Sequence, residues 1–424
     1  MKKGSQFFKK AMSVLLSVVL LASLGIVSSL AQGTDEKLKA DANGNFKVLQ
    51  VADVQQHETT DGKKHFSLLT LNTIRMAVAE LQPDLIVLTG DNIHRCDSLA
   101  DFDYSVQTLV STFKGTPFAV TYGNHDLERN KDNGVCLTYK QEQAIYEKYG
   151  ALTLNQTGLT CSDTTDYATA KYGTGYLDVY SADGKTVVER VILLNSGTYE
   201  VKASEPDGNV INNGREGYGR PGVNAKTYKD VDYDNVVKAV EKWTSEGIAC
   251  VAYQHIPMQE FFTSGIIVEG EKGDVLMDGR QPEPFAGKYY KNSVKNTKIN
   301  QFVEPCGCSY YSTESLYKAF AKNGNTLAVC YGHDHTNTVM GEGSCYGMKL
   351  VQGYGGGMLV YPSDYGEDSP VADYNPMVCL YTFDGIHLTK STQTHNALLR
   401  HYIFGGYLLD YIKQSVLNLF RKTV

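Results

Sequence analysis

Four short polar fragments constrain this chain more than any other feature. Asp53-Val54-Gln55, Gly90-Asp91-Asn92, Gly123-Asn124-His125-Asp126 and Gly332-His333-Asp334-His335 each follow directly on an apolar run: 46–52, 85–88, 118–121 and 326–331. Short apolar runs that end in a polar turn read as buried strands. Each fragment therefore sets a carboxylate, an amide or an imidazole where a strand gives way to a turn. These are the side chains that hold iron, manganese or zinc. One such fragment is a weak signal, whereas four in this order are a strong one.

Between the runs the pattern switches to helical spacing. Leu68, Leu71, Ile74, Val78 and Leu81 share one face over 68–81, and a second helix is expected over 99–113. This βαβαβ rhythm predicts an α/β core in which strand ends carry function. Further on, 141–149, 233–246 and 316–322 read as helices. Strands are expected at 175–180 and 187–194, antiparallel around Ala182-Asp183-Gly184, and at 248–253, 348–351 and 378–383. Segments 129–172, 198–228 and 263–312 are polar or rich in Gly and Asn and read mostly as loop. With no internal repeat and no low-complexity linker, one elaborated domain over 46–395 is expected, followed by a helical segment at 396–424.

The four fragments, with a lone histidine in Tyr253-Gln254-His255-Ile256-Pro257, resemble the calcineurin-like metallophosphoesterase family. Its pattern runs DxH, GDxx, GNHD/E, a lone His and GHxH. The resemblance spans roughly 46–385. It is nearest the purple-acid-phosphatase-related branch with a GHDHxN ending, here His333-Asp334-His335-Thr336-Asn337. Asn195-Ser196-Gly197, Gly217-Tyr218-Gly219 and Glu304-Pro305 are similar to lesser landmarks of that branch. The resemblance implies a four-layer sandwich, with two central mixed sheets flanked by helices. It also implies a phosphatase or phosphodiesterase with two metal ions of manganese, iron or zinc. One ion would be held by Asp53, Gln55, Asp91 and His335, and the other by Asp91, Asn124, His255 and His333, with Asp91 shared. A hydroxide between the ions would attack phosphorus directly. His125 would protonate the leaving group, and Asp126 could fix the His125 tautomer through its other ring nitrogen.

Two departures stand out. Gln55 occupies a place where the family has an imidazole; an amide oxygen there favours manganese, magnesium or iron over zinc. His57 shares a face with positions 53 and 55 on an extended segment and could reach in instead. Purple enzymes carry a tyrosine three residues after the GD aspartate. Here that residue is His94, so no tyrosinate–iron colour is expected, and His94 could line the substrate pocket. Arg220 and Tyr218 either contact a phosphate or belong to a solvated loop. A protein that keeps the fold and binds metal or phosphate with little turnover is the alternative function, motivated by Gln55.

Residues 1–31 carry Lys2, Lys3, Lys9 and Lys10, then an apolar run, then Ser29-Leu30-Ala31. This pattern is that of a secretory signal peptide, with an uncleaved N-terminal anchor as the other reading. Either places the body outside the cytoplasm, secreted or held at the cell surface. Removing this segment, with its four lysines and no acid, takes the net charge from −7 to −11. Such acidity disfavours nucleic acid as a partner and leaves a small phosphorylated substrate, met by the local charge of metal ions. Nine cysteines leave at least one unpaired. Cys250 and Cys330 end apolar runs and are expected as core thiols, and Cys136 with Cys161 forms a candidate pair. The C-terminal segment either packs on the body or lies on a membrane surface as a peripheral contact.

Overall fold

The computed structural model describes residues 37–55, 68–94, 96, 98–128, 137–201, 215–277, 285–292, 302, 306–335, 337–343, 347–353, 377–384 and 387–394. The expected signal segment, the C-terminal helix, Cys136 and His57 lie outside these residues. Strands are numbered along the chain. One sheet contains β2 (Phe46–Val51), β3 (Leu85–Thr89), β4 (Phe118–Thr121), β16 (Met377–Phe383) and β17 (Leu388–Thr394), in the order β17-β16-β2-β3-β4. A second contains β1 (Leu38–Lys39), β5 (Gly175–Tyr180), β6 (Val187–Leu194), β9 (Ala249–Gln254), β13 (Thr326–Tyr331), β14 (Met340–Glu342) and β15 (Lys349–Gln352), in the order β1-β5-β6-β9-β13-β15-β14. Both are mixed. β2, β3 and β4 run parallel, as do β6, β9, β13 and β15, while β16 and β5 join antiparallel to β2 and β6.

The sheets pack face to face. Val48, Leu85, Val87 and Ala119 of the first meet Val191, Leu193, Val251, Tyr253 and Cys330 of the second in one buried layer. Helices Leu68–Leu81, Leu99–Val110 and Tyr139–Lys148 cover the outer face of the first sheet, and Tyr233–Trp243 and Glu314–Ala321 cover the second. The result is the expected α/β four-layer sandwich. Central strands buried on both faces need apolar residues throughout, which is why they read as continuous runs and not as alternating ones. Gln50 ties the sheets together: its Nε2 donates to the Tyr331 carbonyl at 3.0 Å, and its Oε1 accepts from Tyr381 Oη at 2.7 Å.

Helix boundaries follow local chemistry. Ser98 Oγ accepts from the Asp101 N–H at 3.1 Å, and Thr138 forms a reciprocal cap with Gln141. The second helix stops at Val110, three residues short of the expected end. There the hydroxyls of Ser111 and Thr112 turn back onto the Thr108 and Leu109 carbonyls at 2.7 Å. Two stretches read as loop hold short strands: β7 (Tyr199–Val201) pairs with β8 (Arg215–Tyr218), and β10 (Ile267–Glu269) and β11 (Val275–Leu276) flank β12 (Tyr289–Asn292). Their ladders pair two to three residues each, too little for a pattern to register. Cys250 and Cys330 are buried thiols as expected, and burial pushes Cys250 up to about 12.

Glu142 is an exception to the apolar rule. It is fully buried on helix Tyr139–Lys148, and neither carboxylate oxygen has a hydrogen-bond partner. Burial, then the Asp126 carboxylate, push its pKa well above the usual range. The phenols of Tyr122 and Tyr146 lie in the same field. A carboxyl whose folded pKa is raised stabilises fully below its unfolded pKa and loses that contribution as pH rises through the folded value. Every tenfold difference in proton affinity between the folded and unfolded chain is worth about 1.4 kcal/mol. Thermal melts of Glu142→Gln should therefore show a higher Tm than the parent at pH 8 and little difference at pH 4. An equal change in Tm at both pH values would show that Glu142 is not held neutral.

Candidate metal centre

The site assembles where β2, β3, β4, β9 and β13 end. Asp53 follows β2, Asp91 follows β3, Asn124 and His125 follow β4, His255 follows β9, and His333 and His335 follow β13. Asp53, Asp91, Asn124 and His255 are at most 2% exposed. Gly90 and Gly123 permit this crowding. A Cβ on Gly90 would sit 2.6 Å from His255 Nδ1, and one on Gly123 would sit 2.3 Å from Asp91 Oδ1. Asp53, Gln55, Asp91 and His333 also adopt positive φ of 53°, 45°, 50° and 75°, a conformation side chains disfavour. They are four of the seven such non-glycine residues among those described, which marks the site as a place of backbone strain.

The two aspartates are built alike. Asp53 Oδ2 accepts from the His333 N–H at 3.0 Å, while Oδ1 lies 3.3 Å from His335 Nε2 and 3.8 Å from His255 Nε2. Asp91 Oδ1 accepts from the His125 N–H at 2.8 Å, while Oδ2 lies 3.2 Å from His255 Nε2. Each carboxylate thus has one oxygen fixed by the backbone of another loop and the other turned toward imidazoles. Asp91, His255 and His333 offer ligand atoms within 4.8 Å of one another. His255 Nδ1 meets the Thr89 carbonyl at 2.9 Å, which leaves Nε2 as the nitrogen facing the acids.

The titration directions reflect this crowding. Burial alone would lower His255, but the Asp91 and Asp53 carboxylates outweigh it and hold the ring up at about 9. Burial and then the charge of His255 push His333 well below its ordinary value, so it stays neutral. For Asp91, burial is opposed by His255 and His125, which hold the carboxyl below the usual range.

Does a cation fit these residues? The amide of Asn124 is buried, and neither its Oδ1 nor its Nδ2 has a hydrogen-bond partner. An unsatisfied buried amide costs about 1–3 kcal/mol. Beside two buried carboxylates and three imidazoles, its oxygen completes a donor set suited to hard or borderline cations. Gln55 is buried, donates its backbone N–H to the Asp91 carbonyl at 2.9 Å, and has a side-chain Nε2 without a partner.

One expected role is corrected. Asp126 does not hold His125 through its ring. Its two oxygens accept from four backbone N–H groups, those of Asp91, Asn92, Ile93 and Gly123, at 2.6–3.2 Å. Burial and the Asp91 charge raise its pKa to about 6 against those donors. The carboxylate at the His125 ring is Glu128, whose Oε2 lies 2.9 Å from Nδ1. Burial would raise Glu128, but His125 and then His94 outweigh it and hold it well below the usual range. Sequence reasoning missed Glu128, although its position three residues after His125, one tight turn away, was the available signal.

Neighbouring landmarks acquire structural roles. Ser196 Oγ accepts from the Ile256 N–H at 2.9 Å and so fixes the residue after His255. Asp334 accepts from the backbone and side chain of Asn337, closing the turn that carries His333 and His335. The Tyr218 ring packs edge-on to His333 at 4.2 Å. Arg220 is engaged within the protein. It donates to the Ser312 carbonyl and the Asp230 carboxylate and stacks on Tyr233 at 3.6 Å.

Comparison with known proteins accords with this geometry. A family model described as calcineurin-like phosphoesterase matches residues 46–337. The chain is 27% identical to probable inactive purple acid phosphatase 29 of Arabidopsis thaliana, over 82% of this chain and 81% of that protein. It is 23% identical to probable inactive purple acid phosphatase 28 of the same plant, over 72% and 70%. Among solved structures, the purple acid phosphatase of yellow lupin (Lupinus luteus) matches at 12% identity and a TM-score of 0.40, over 83% of this chain and 52% of that one. With its strand-end acids and imidazoles in place and the family pattern spanning most of its length, this chain belongs to the calcineurin-like phosphoesterase family.

Proposed function

We propose that this chain is an exported metallophosphoesterase that hydrolyses small phosphorylated substrates, monoesters or diesters, at a two-cation centre. Asp53, Gln55, Asp91 and His335 would hold one cation, and Asp91, Asn124, His255 and His333 the other. The observation that carries this reading is the pair of buried carboxylates. Each has one oxygen locked by backbone and one turned to imidazoles, and both lie beside the partnerless Asn124 amide. Cations held there would supply the charge that neutralises a phosphoryl transition state.

The chain's own residues do the rest. Asp91 faces His255 and fixes the His125 backbone, so an acid that would hold cations also sets the proton donor. His125, 12% exposed, would pass a proton to the departing oxygen. The apolar segment behind four lysines supports export.

A second reading rests on Gln55 and on the relatives, whose names call them probable inactive. On it, the same residues bind cations or phosphate without turnover. Assay of the purified protein with manganese or iron against aryl phosphate monoesters and diesters separates the two. Hydrolysis of either ester is expected. Two bound equivalents of metal with no hydrolysis would establish the second reading.

Two variants test the ligand assignment. Asn124→Ala is expected to lower turnover by about 100-fold or more and to weaken metal retention, read by elemental analysis after dialysis. Gln55→His replaces an oxygen donor by nitrogen. Competition titrations should show its preference moving toward zinc by about tenfold relative to manganese. Unchanged metal preference would place Gln55 outside the coordination shell.

A further inference from the structure

Beyond the residues assigned to cations, the described residues bring together another compact group of proton-binding side chains: His94, His125 and Glu128. They come from different strand-end loops, His94 after β3 and the other two after β4. One atom links them. Glu128 Oε2 lies 2.9 Å from His125 Nδ1 and 3.4 Å from His94 Nε2, and the two rings tilt at 60° with centroids 4.8 Å apart. Glu128 reaches this place because its N–H closes a turn onto the His125 carbonyl at 3.0 Å.

We propose that Glu128 is a positioning residue that sets His125 and His94 as a paired donor site beside the metal centre, with His94 a second contact for the substrate's phosphoryl oxygens. The proposal rests on the phosphoesterase reading. Gripped at Nδ1, His125 presents Nε2 as the nitrogen that passes a proton to the leaving oxygen. Gripped at Nε2, His94 presents Nδ1. The carboxylate fixes opposite nitrogens on the two rings, so both orientations are set by one group. Asp126 and Glu128 divide the work between them: Asp126 fixes the backbone of the two loops, and Glu128 fixes the side chains they carry. The three residues could also ligate a third cation. At 2.9 Å Glu128 Oε2 and His125 Nδ1 already form a close ion pair without a cation between them, which favours the positioning role.

The test uses full-length metal-loaded protein and the variants Glu128→Gln, Glu128→Leu and His94→Asn. Two substrates are compared, an aryl phosphate whose leaving group needs no proton and an alkyl phosphate whose leaving group does. Glu128→Gln and Glu128→Leu should lose about 10- to 100-fold in kcat on the alkyl ester and only a few-fold on the aryl ester, with metal content unchanged. His94→Asn should raise KM on both esters more than it lowers kcat. Equal losses on both esters in the Glu128 variants, or loss of metal, would mean a merely structural role and overturn the proposal. Imidazole ¹⁵N spectra of the metal-free protein test it independently of turnover. A proton on His125 Nδ1 in the parent, displaced in Glu128→Leu, is expected, and its absence in the parent would overturn it. A third bound equivalent of zinc, lost in His94→Asn, would reassign the cluster to a metal. Failure of the parent to hydrolyse any ester would count against the phosphoesterase reading, and the spectra would still decide the geometry.

Discussion

Buried carboxylates at the ends of parallel strands are costly, and the organisation of this molecule follows from how that cost is met. An ionised acid away from water must be paired and hydrogen-bonded, or it is neutralised. Here each of three aspartates draws backbone N–H groups from a loop other than its own: Asp53 from the β13 loop, Asp91 from the β4 loop, and Asp126 from the β3 loop. The acids are therefore both the chemistry and the clasp. Asp53 binds the strand ends of the two sheets to one another, Asp91 and Asp126 join the β3 and β4 loops within the first sheet, and Gln50 makes a further cross-sheet link from within β2.

The strain follows from the same crowding. Four of the residues expected to face cations hold positive φ, so the chain turns sharply at the moment each strand ends. Such conformations persist only where surrounding bonds over-determine them. The bonds are visible: the Asp53 N–H reaches the Gly90 carbonyl at 3.1 Å, and the Gln55 N–H reaches the Asp91 carbonyl at 2.9 Å. The loops thus brace each other in pairs, and the glycines at 90 and 123 keep the space for His255 open.

Much of this was legible in the sequence, for physical reasons. Strands buried on both faces must be apolar along their length, so β2, β3, β4, β9 and β13 announced themselves, and the polar residue ending each run marked the site. Legibility failed where a contact depends on which of two nearby acids reaches a ring. Asp126 and Glu128 both lie within one turn of His125, and only the packed loops decide that the first is consumed by backbone donors. It failed also for β7, β8 and β10–β12, whose pairing is set by neighbours distant in sequence. Arg220 shows the same limit: the sequence leaves open a phosphate contact or a solvated loop, and its partners Asp230, Ser312 and Tyr233 lie far away in sequence or across the loop.

The polar residues of the site fall into two kinds, and the division bears on function more than the motif itself does. Asp126, Asp334 and Ser196 are fully occupied in holding loops, so a protein could need them without performing any chemistry. The Asn124 side chain has no such task. Its carbonyl oxygen on the main chain accepts from Thr198 Oγ1 at 3.2 Å, but its buried amide makes no hydrogen bond at all. A group left unsatisfied in this way destabilises the fold by about 1–3 kcal/mol, and nothing in the packing offsets it. A cation at the amide oxygen would do so, and would draw on the turned-in oxygens of Asp53 and Asp91 at the same time. The Asn124 amide thus adds to the paired carboxylates a side chain of the site whose amide makes no hydrogen bond within the fold.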